Sequence, residues 1–336
     1  MQPYLLLRTA IVALVALGAV SCGSGNNDSG GEKLKVVSTV APITSLVENI
    51  GGTAIELQGL IPEGTNSHTY EPPVSDVKAI SSADLIVMNG LQLEEPTLEL
   101  AKANKKKDAV ILLLGDAVIT PEEYKFDFSF PESGGKPNPH TWPNPAIALE
   151  YATLIHDKLV ELDSAQRAYY DANFNELKKR LEVLDRQMLA AAQTVPPKNR
   201  KLLTYHDSWA YWADRYGFTV VGAIQPSDFA EPSAKDVADL IDQIKAEGVP
   251  AIFGSEVFPS PVLQQIANET GATYVDDLRD DDLPGKPGDP LHSYMGLMVE
   301  NMRIMIPALG GDDAPMGIVD PSLVFNDGPS PANYPQ

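Results

Sequence analysis

The sequence predicts an α/β protein of two lobes, each a mostly parallel sheet flanked by helices, joined by one long rigid helix. Three observations predict it. Short, continuous aliphatic runs such as Asp-Leu-Ile-Val-Met (84–88) alternate with helical stretches, as in parallel sheets covered on both faces. The same βα alternation resumes after residue 200, with no detectable sequence repeat between the halves. Between the two series, Tyr170, Phe174, Leu177, Leu181, Leu184, Met188 and Ala191 recur at spacings of four and three. Those spacings form one apolar stripe on a helix of about thirty residues, ~45 Å long.

The elements follow in order. Lys33 to Val40 is the first strand, and Pro42 opens a helix ending near Gly51-Gly52, because proline suits the first turn. Ile55 to Ile61 is the second strand. It leads into Gly64-Thr65-Asn66-Ser67-His68-Thr69-Tyr70-Glu71-Pro72-Pro73, a loop fixed at both ends by glycine and proline. Ser75 to Ala83 reads as a helix capped by Ser75. Strands follow at 84–88 and 109–114, with a helix at 94–103 between them. Residues 115–139 read as an acidic, aromatic, Pro/Gly-rich loop ending in Pro137-Asn138-Pro139-His140-Thr141-Trp142-Pro143. A helix runs from about Ala146 to Leu162. Asp163, with Gln166 three residues on, caps the long helix, and Pro196-Pro197 ends it. The second series places strands at 201–205, 218–224, 251–253 and 272–275. Its helices fall at 208–216, 233–246, 261–270 and 293–306. The expected organisation is therefore 1–22 signal segment, 23–33 flexible tether, 34–162 first lobe, 163–195 linking helix, 196–309 second lobe and 310–336 a mobile tail rich in Gly, Pro and Asp.

Composition narrows function. The chain has 336 residues, 43% hydrophobic and 21% charged, which is globular. A net charge of −21 argues against nucleic acid, whose recognition needs a basic face. Arg8 followed by the apolar run Ala10 to Val20 is too short to span a membrane and has signal-peptide form. Ala19-Val20-Ser21-Cys22 resembles a bacterial lipobox, with Ala19 in place of the usual Leu, so Cys22 is the expected site of lipid attachment. The alternative is simple secretory cleavage. Either way the mature chain works outside the cytoplasm. With Cys22 the single cysteine, it has no disulfide and no thiolate metal site.

Three of the five histidines stand on loops where an open α/β sheet presents ligands, beyond the carboxyl ends of strands. These are His68, His140 and His206. His156 lies in an amphipathic helix and reads as packing or surface; His292 reads as lying near the cap of the last helix. A fourth ligand is expected from the second lobe, and Asp276, directly after the strand ending at Val275, is preferred. Glu256 is the rival and is given a supporting hydrogen bond to a ligand histidine. Asp277, Asp280, Asp281 and Asp282 read as a solvated turn.

Taken together, these segments resemble the substrate-binding lipoproteins of bacterial ABC importers for zinc and manganese, the cluster A-I family, across about Leu34 to Leu309. The resemblance is carried by Gly64 to Pro72, by Ser82-Ala83-Asp84-Leu85-Ile86-Val87-Met88-Asn89-Gly90, and by Asn138-Pro139-His140-Thr141-Trp142, with Asn for the family's Asp. Tyr205-His206-Asp207-Ser208-Trp209 and Tyr274-Val275-Asp276-Asp277-Leu278 match the later motifs. It implies His68, His140, His206 and Asp276 as metal ligands in a cleft between the lobes. It also implies an ABC permease as partner and anchoring to membrane lipid through acylated Cys22; the chain is expected to be a monomer. Three imidazoles and one carboxylate suit Zn²⁺ in four-coordinate geometry; Mn²⁺ is the alternative. The family's frequent His-rich loop is missing from residues 116–139. Two other classes stay open: a zinc hydrolase, which needs Asp276 turned away from the ion, and a surface adhesin.

Overall fold

A computed structural model describes residues 32–335, except 228, 231, 258, 259 and 277. The signal segment, Cys22 and most of the tether lie outside the described residues. Nine strands and ten α-helices follow in chain order among the described residues: β1 (Leu34–Ser38), α1 (Ala41–Gly51), β2 (Ile55–Gly59), α2 (Val74–Ser82), β3 (Leu85–Met88), α3 (Glu95–Asn104), β4 (Val110–Leu113), α4 (Leu114–Val118), α5 (Pro145–Leu162) and α6 (Arg167–Thr194). The second series is β5 (Lys201–Thr204), α7 (Ala210–Tyr216), β6 (Thr219–Ala223), α8 (Ala234–Glu247), β7 (Ala251–Phe253), α9 (Pro261–Thr270), β8 (Thr273–Val275), α10 (Tyr294–Ala308) and β9 (Ala332–Asn333). None of these helices is long and apolar enough to cross a membrane.

The strands form two sheets, β4-β3-β1-β2-β9 and β6-β5-β7-β8, and every pairing is parallel. β3 shows why: Leu-Ile-Val-Met is buried at all four positions, which requires helices on both faces. A parallel connection needs a crossover, and α1, α2, α3, α7, α8 and α9 supply crossovers within the two series.

The linking helix is real but starts later than its capping residue suggested. Asp163 precedes a 3₁₀ turn, Ser164–Gln166, and its carboxylate accepts the Tyr170 hydroxyl rather than capping the helix. α6 then runs 28 residues, about 42 Å. Tyr170, Leu177, Leu181, Leu184, Met188 and Ala191 are all buried, so the 3–4 spacing did locate its packed face. Its first half meets the helices of the first sheet: Asn173 Nδ2 donates to the Ile50 carbonyl at 3.1 Å. Its second half meets α7, where the Tyr216 hydroxyl donates to Asp185 at 2.8 Å. Ser75 likewise proves not to cap α2, whose preceding residue is Pro73.

One expectation fails outright. Residues 310–335 are not a free tail. Ala332 and Asn333 pair in parallel with Leu57 and Gln58 as the edge of the first sheet. The Tyr334 hydroxyl donates to Glu48 Oε2 at 2.6 Å, and Ser330 Oγ donates to Glu48 Oε1. Burial pushes the Glu48 carboxyl above its ordinary range. Glycine and proline composition reported the absence of helix there, not the absence of packing.

Candidate metal centre

Three loops at the carboxyl ends of strands carry the histidines. His68 follows β2. Gly64 in this loop adopts φ +76°, a left-handed conformation that favours glycine, and its N–H donates to Asp282 Oδ2 at 2.7 Å. His140 precedes α5, whose first turn is capped by the Asn144 side chain. His206 follows β5 by two residues. The three rings bring their Nε2 atoms together: His68 to His140 3.1 Å, His68 to His206 3.3 Å, and His140 to His206 3.0 Å.

Neighbouring amides set the tautomers. Asn138 Nδ2 donates to Asp127 Oδ2 at 3.1 Å and to the Asp207 carbonyl at 2.8 Å, which leaves Asn138 Oδ1 to accept from His140 Nδ1 at 2.8 Å. Gln225 Oε1 accepts from His206 Nδ1 at 2.6 Å. With both Nδ1 atoms protonated, both Nε2 atoms are bare lone pairs. Lone pairs facing one another at 3.0 Å repel unless a cation lies between them. His68 stacks on Phe229 at 4.4 Å and 17°, which holds the third ring edge-on to the same point. Burial keeps His68 and His140 well below the ordinary imidazole range, and the facing His206 adds to it. They are therefore neutral, the form that binds metal.

The carboxylate the strand-end rule selected does not stand with the three imidazoles. Asp276 is exposed, and its Oδ1 accepts the Tyr274 hydroxyl at 3.0 Å. The chain continues past it, and Asp280 arrives instead, its Oδ2 3.6 Å from His206 Nε2. That oxygen is buried and has no hydrogen-bond partner. Asp280, Asp281 and Asp282 are all buried, so they are not a solvated turn; Asp277 lies outside the described residues.

Glu256 also takes a different role from the one expected. Its Oε1 accepts the backbone N–H groups of Asp280, Asp281 and Asp282, at 2.9, 3.3 and 3.3 Å, and so shapes the acidic loop rather than touching a histidine. The Trp142 indole N–H donates to the Asp280 carbonyl at 2.9 Å. Burial, then Asp280 and Asp282, push the Glu256 carboxyl well up. Asp282 rises to about 7 through burial. Ionising these carboxyls together in the interior is costly, and a divalent cation would offset that cost. The other two histidines behave as expected: His156 stacks on Phe174 and meets Asp171, and His292 directly precedes Ser293, the cap of α10.

A cavity of about 250 Å³ opens over His68, the one of the three imidazoles that lines it, beside Leu91, Phe130 and Phe229. It gives access from solvent to an otherwise closed cluster. For a tetrahedral ion with 2.0–2.1 Å bonds to nitrogen, ligand nitrogens stand about 3.3 Å apart. The observed 3.0–3.3 Å matches that size.

A family profile described as zinc-uptake complex component A, periplasmic, matches residues 36–308. The chain belongs to that family. It is a substrate-binding protein of a metal ABC transporter, it is extracytoplasmic, and it is not an enzyme. It is 30% identical to the iron-binding protein YfeA of Yersinia pestis over 295 residues, covering 88% of this chain and 92% of that one. It is 28% identical to the manganese ABC transporter substrate-binding lipoprotein PsaA of Streptococcus anginosus, covering 87% and 94%. The periplasmic zinc binding protein TroA of Treponema pallidum superposes with a TM-score of 0.75 at 25% identity, covering 83% of this chain and 99% of that one. Members of this transport family carry metal as cargo, so the hydrolase alternative falls.

Asn138 and Gln225 give this centre its first test. Asn138→Ala or Gln225→Ala frees one imidazole to turn or change tautomer. Each should weaken metal binding by about 10–100-fold while the circular-dichroism spectrum stays unchanged. Competition titration against a chromophoric chelator reads it, and unchanged affinity would remove the tautomer argument.

Proposed function

We propose that the chain captures Zn²⁺ with high affinity at His68, His140, His206 and Asp280, and hands it to a membrane permease while tethered by acyl chains on Cys22. The observation that carries this reading is the convergence of three Nε2 atoms within 3.3 Å of one another beside an unpartnered carboxylate oxygen. Mainly nitrogen donors disfavour calcium and magnesium, which want oxygen. Four protein donors leave no position for an activated water, so the site holds its ion. The protein acts as a monomer, one ion per chain. A second reading, Mn²⁺ as cargo, is favoured by the names of relatives such as the Streptococcus anginosus lipoprotein.

The test is elemental analysis of protein purified without added metal, followed by zinc-against-manganese competition at several pH values. One equivalent of zinc, displaced poorly by manganese, is the expected result; a metal-free protein that takes up neither ion would end the proposal. The pH arm has a definite sign. The binding form is the neutral imidazole, and in the metal-free fold His68 and His140 are depressed. They stay neutral to lower pH than the usual 6.5, so affinity should hold from pH 8 to below 6.5 and fall only as the pH drops through their depressed range. Unfolded histidines take up protons first, so the metal-free fold also loses stability as pH drops through this window. Affinity that already falls steeply between pH 8 and 6.5 would contradict neutral, depressed imidazoles as the ligands.

A further inference from the structure

Asp281 offers a donor that a three-imidazole, one-carboxylate site does not use. It is 5% exposed. Its Oδ2 accepts the Ser67 hydroxyl at 2.5 Å, which pins the carboxylate to the His68 loop. Its Oδ1 is buried and has no hydrogen-bond partner. A carboxylate oxygen of Asp281, one of Asp280 and a ring nitrogen of His140 all lie within 4.8 Å of one another. His140 thus belongs both to the imidazole cluster and to this second group.

Two adjacent buried carboxylates, each with an oxygen lacking any donor, are an unstable arrangement by themselves. A hydrogen bond to Oδ1 would have satisfied Asp281 as Ser67 satisfies Oδ2. Among the described residues the chain provides none, and it sets this carboxylate beside Asp280 and His140 instead. A single divalent ion between them would answer both oxygens, and its charge of two would be balanced by the two carboxylates.

We propose that Asp281 is a further metal-contacting residue, a fifth donor that raises the affinity for Mn²⁺ relative to Zn²⁺. The proposal rests on the metal-receptor reading above and adds the specificity of that same centre. Zinc is content with four donors, and a fifth adds little to it. Manganese binds any such site more weakly than zinc but gains from carboxylate oxygen and a higher coordination number. An N₃O₂ set therefore narrows the gap between the two ions, where an N₃O set would leave it wide.

The experiment uses the full chain as wild type, Asp281→Asn and Ser67→Ala, titrated with Mn²⁺ and with Zn²⁺, and with Co²⁺ as a spectroscopic probe. Asparagine keeps the shape and can still accept from Ser67. It should weaken manganese binding about tenfold or more and zinc binding less than about threefold. It should also intensify the visible Co²⁺ bands, which grow as coordination falls from five towards four. A role in folding alone would not move those bands. Ser67→Ala keeps the carboxylate but releases its Oδ2, and should weaken manganese binding several-fold with zinc little changed. It serves as the deciding variant if Asp281→Asn does not fold. Equal losses for both ions, no loss for either, or an unchanged Co²⁺ spectrum would overturn the assignment. If wild-type protein takes up no ion at all, the receptor reading fails first, and the two failures are distinguishable.

Discussion

Replacing Asp280 with Ala is expected to weaken zinc binding by about 10²–10³-fold, while Asp276→Ala changes it by less than about threefold. The magnitude follows from sharing the roughly 10–16 kcal/mol of a tight four-ligand zinc site among its ligands, ~3–4 kcal/mol each. The contrast follows from position. Asp280 Oδ2 is buried, lacks a hydrogen-bond partner and lies 3.6 Å from His206 Nε2. Asp276 is exposed and already accepts the Tyr274 hydroxyl. Alanine at 280 keeps the backbone bonds to Glu256 and Trp142, so the loop survives and the loss is one of coordination. Competition titration of both variants decides it. A large loss at 276 with none at 280 would return the fourth position to the residue directly after β8.

The three imidazoles were legible in the sequence because each lies close to an element with an unambiguous signature. His206 follows its aliphatic strand by two residues, His68 sits on the Gly/Pro-bounded loop that follows β2, and His140 is bracketed by prolines before a helix. The carboxylate that the fold brings beside His206 was not legible, because the loop between β8 and α10 is long and carries several acids. Proximity to a strand end selected Asp276, yet what brings Asp280 to the histidines is tertiary. Glu256, on the loop after β7, gathers three consecutive backbone N–H groups, and Trp142, from the other half of the chain, holds the Asp280 carbonyl. Neither partner is near in sequence. One hint was available: three aspartates in a row would be an unremarkable solvated turn, but Leu283 and Pro284 follow them directly. Leu283 is buried, so the chain re-enters the core there and carries the aspartates with it. The parallel sheets were recoverable for the opposite reason: burial on both faces writes itself into every residue of a strand such as β3.

Deleting residues 312–336 is expected to cost about 5–10 kcal/mol, comparable with the whole stability of an ordinary domain. The deletion strips Met316, Val319, Phe325 and Tyr334 from the interior, all buried, at roughly 1.5–3 kcal/mol each as an upper estimate. It removes β9 and exposes the edge of β2. It also leaves the Glu48 carboxylate buried without Ser330 and Tyr334, a further ~1–3 kcal/mol. A flexible appendage would cost nothing, so thermal unfolding discriminates sharply. The truncated chain should melt far below the full one or fail to unfold cooperatively. Tyr334→Phe isolates the polar part: it keeps the ring and loses only the hydroxyl on Glu48, and should cost about 1–2 kcal/mol. Both changes act on α1 and β2, and β2 leads directly into the His68 loop. The Glu63 backbone N–H, in that loop, also donates to the Pro335 carbonyl at 3.3 Å. Metal affinity in Tyr334→Phe should therefore stay within about threefold of wild type, because Asp281 and Asp282 still hold the loop at Ser67 and Gly64. A truncated chain with unchanged melting temperature would show that the packed tail contributes nothing to the fold.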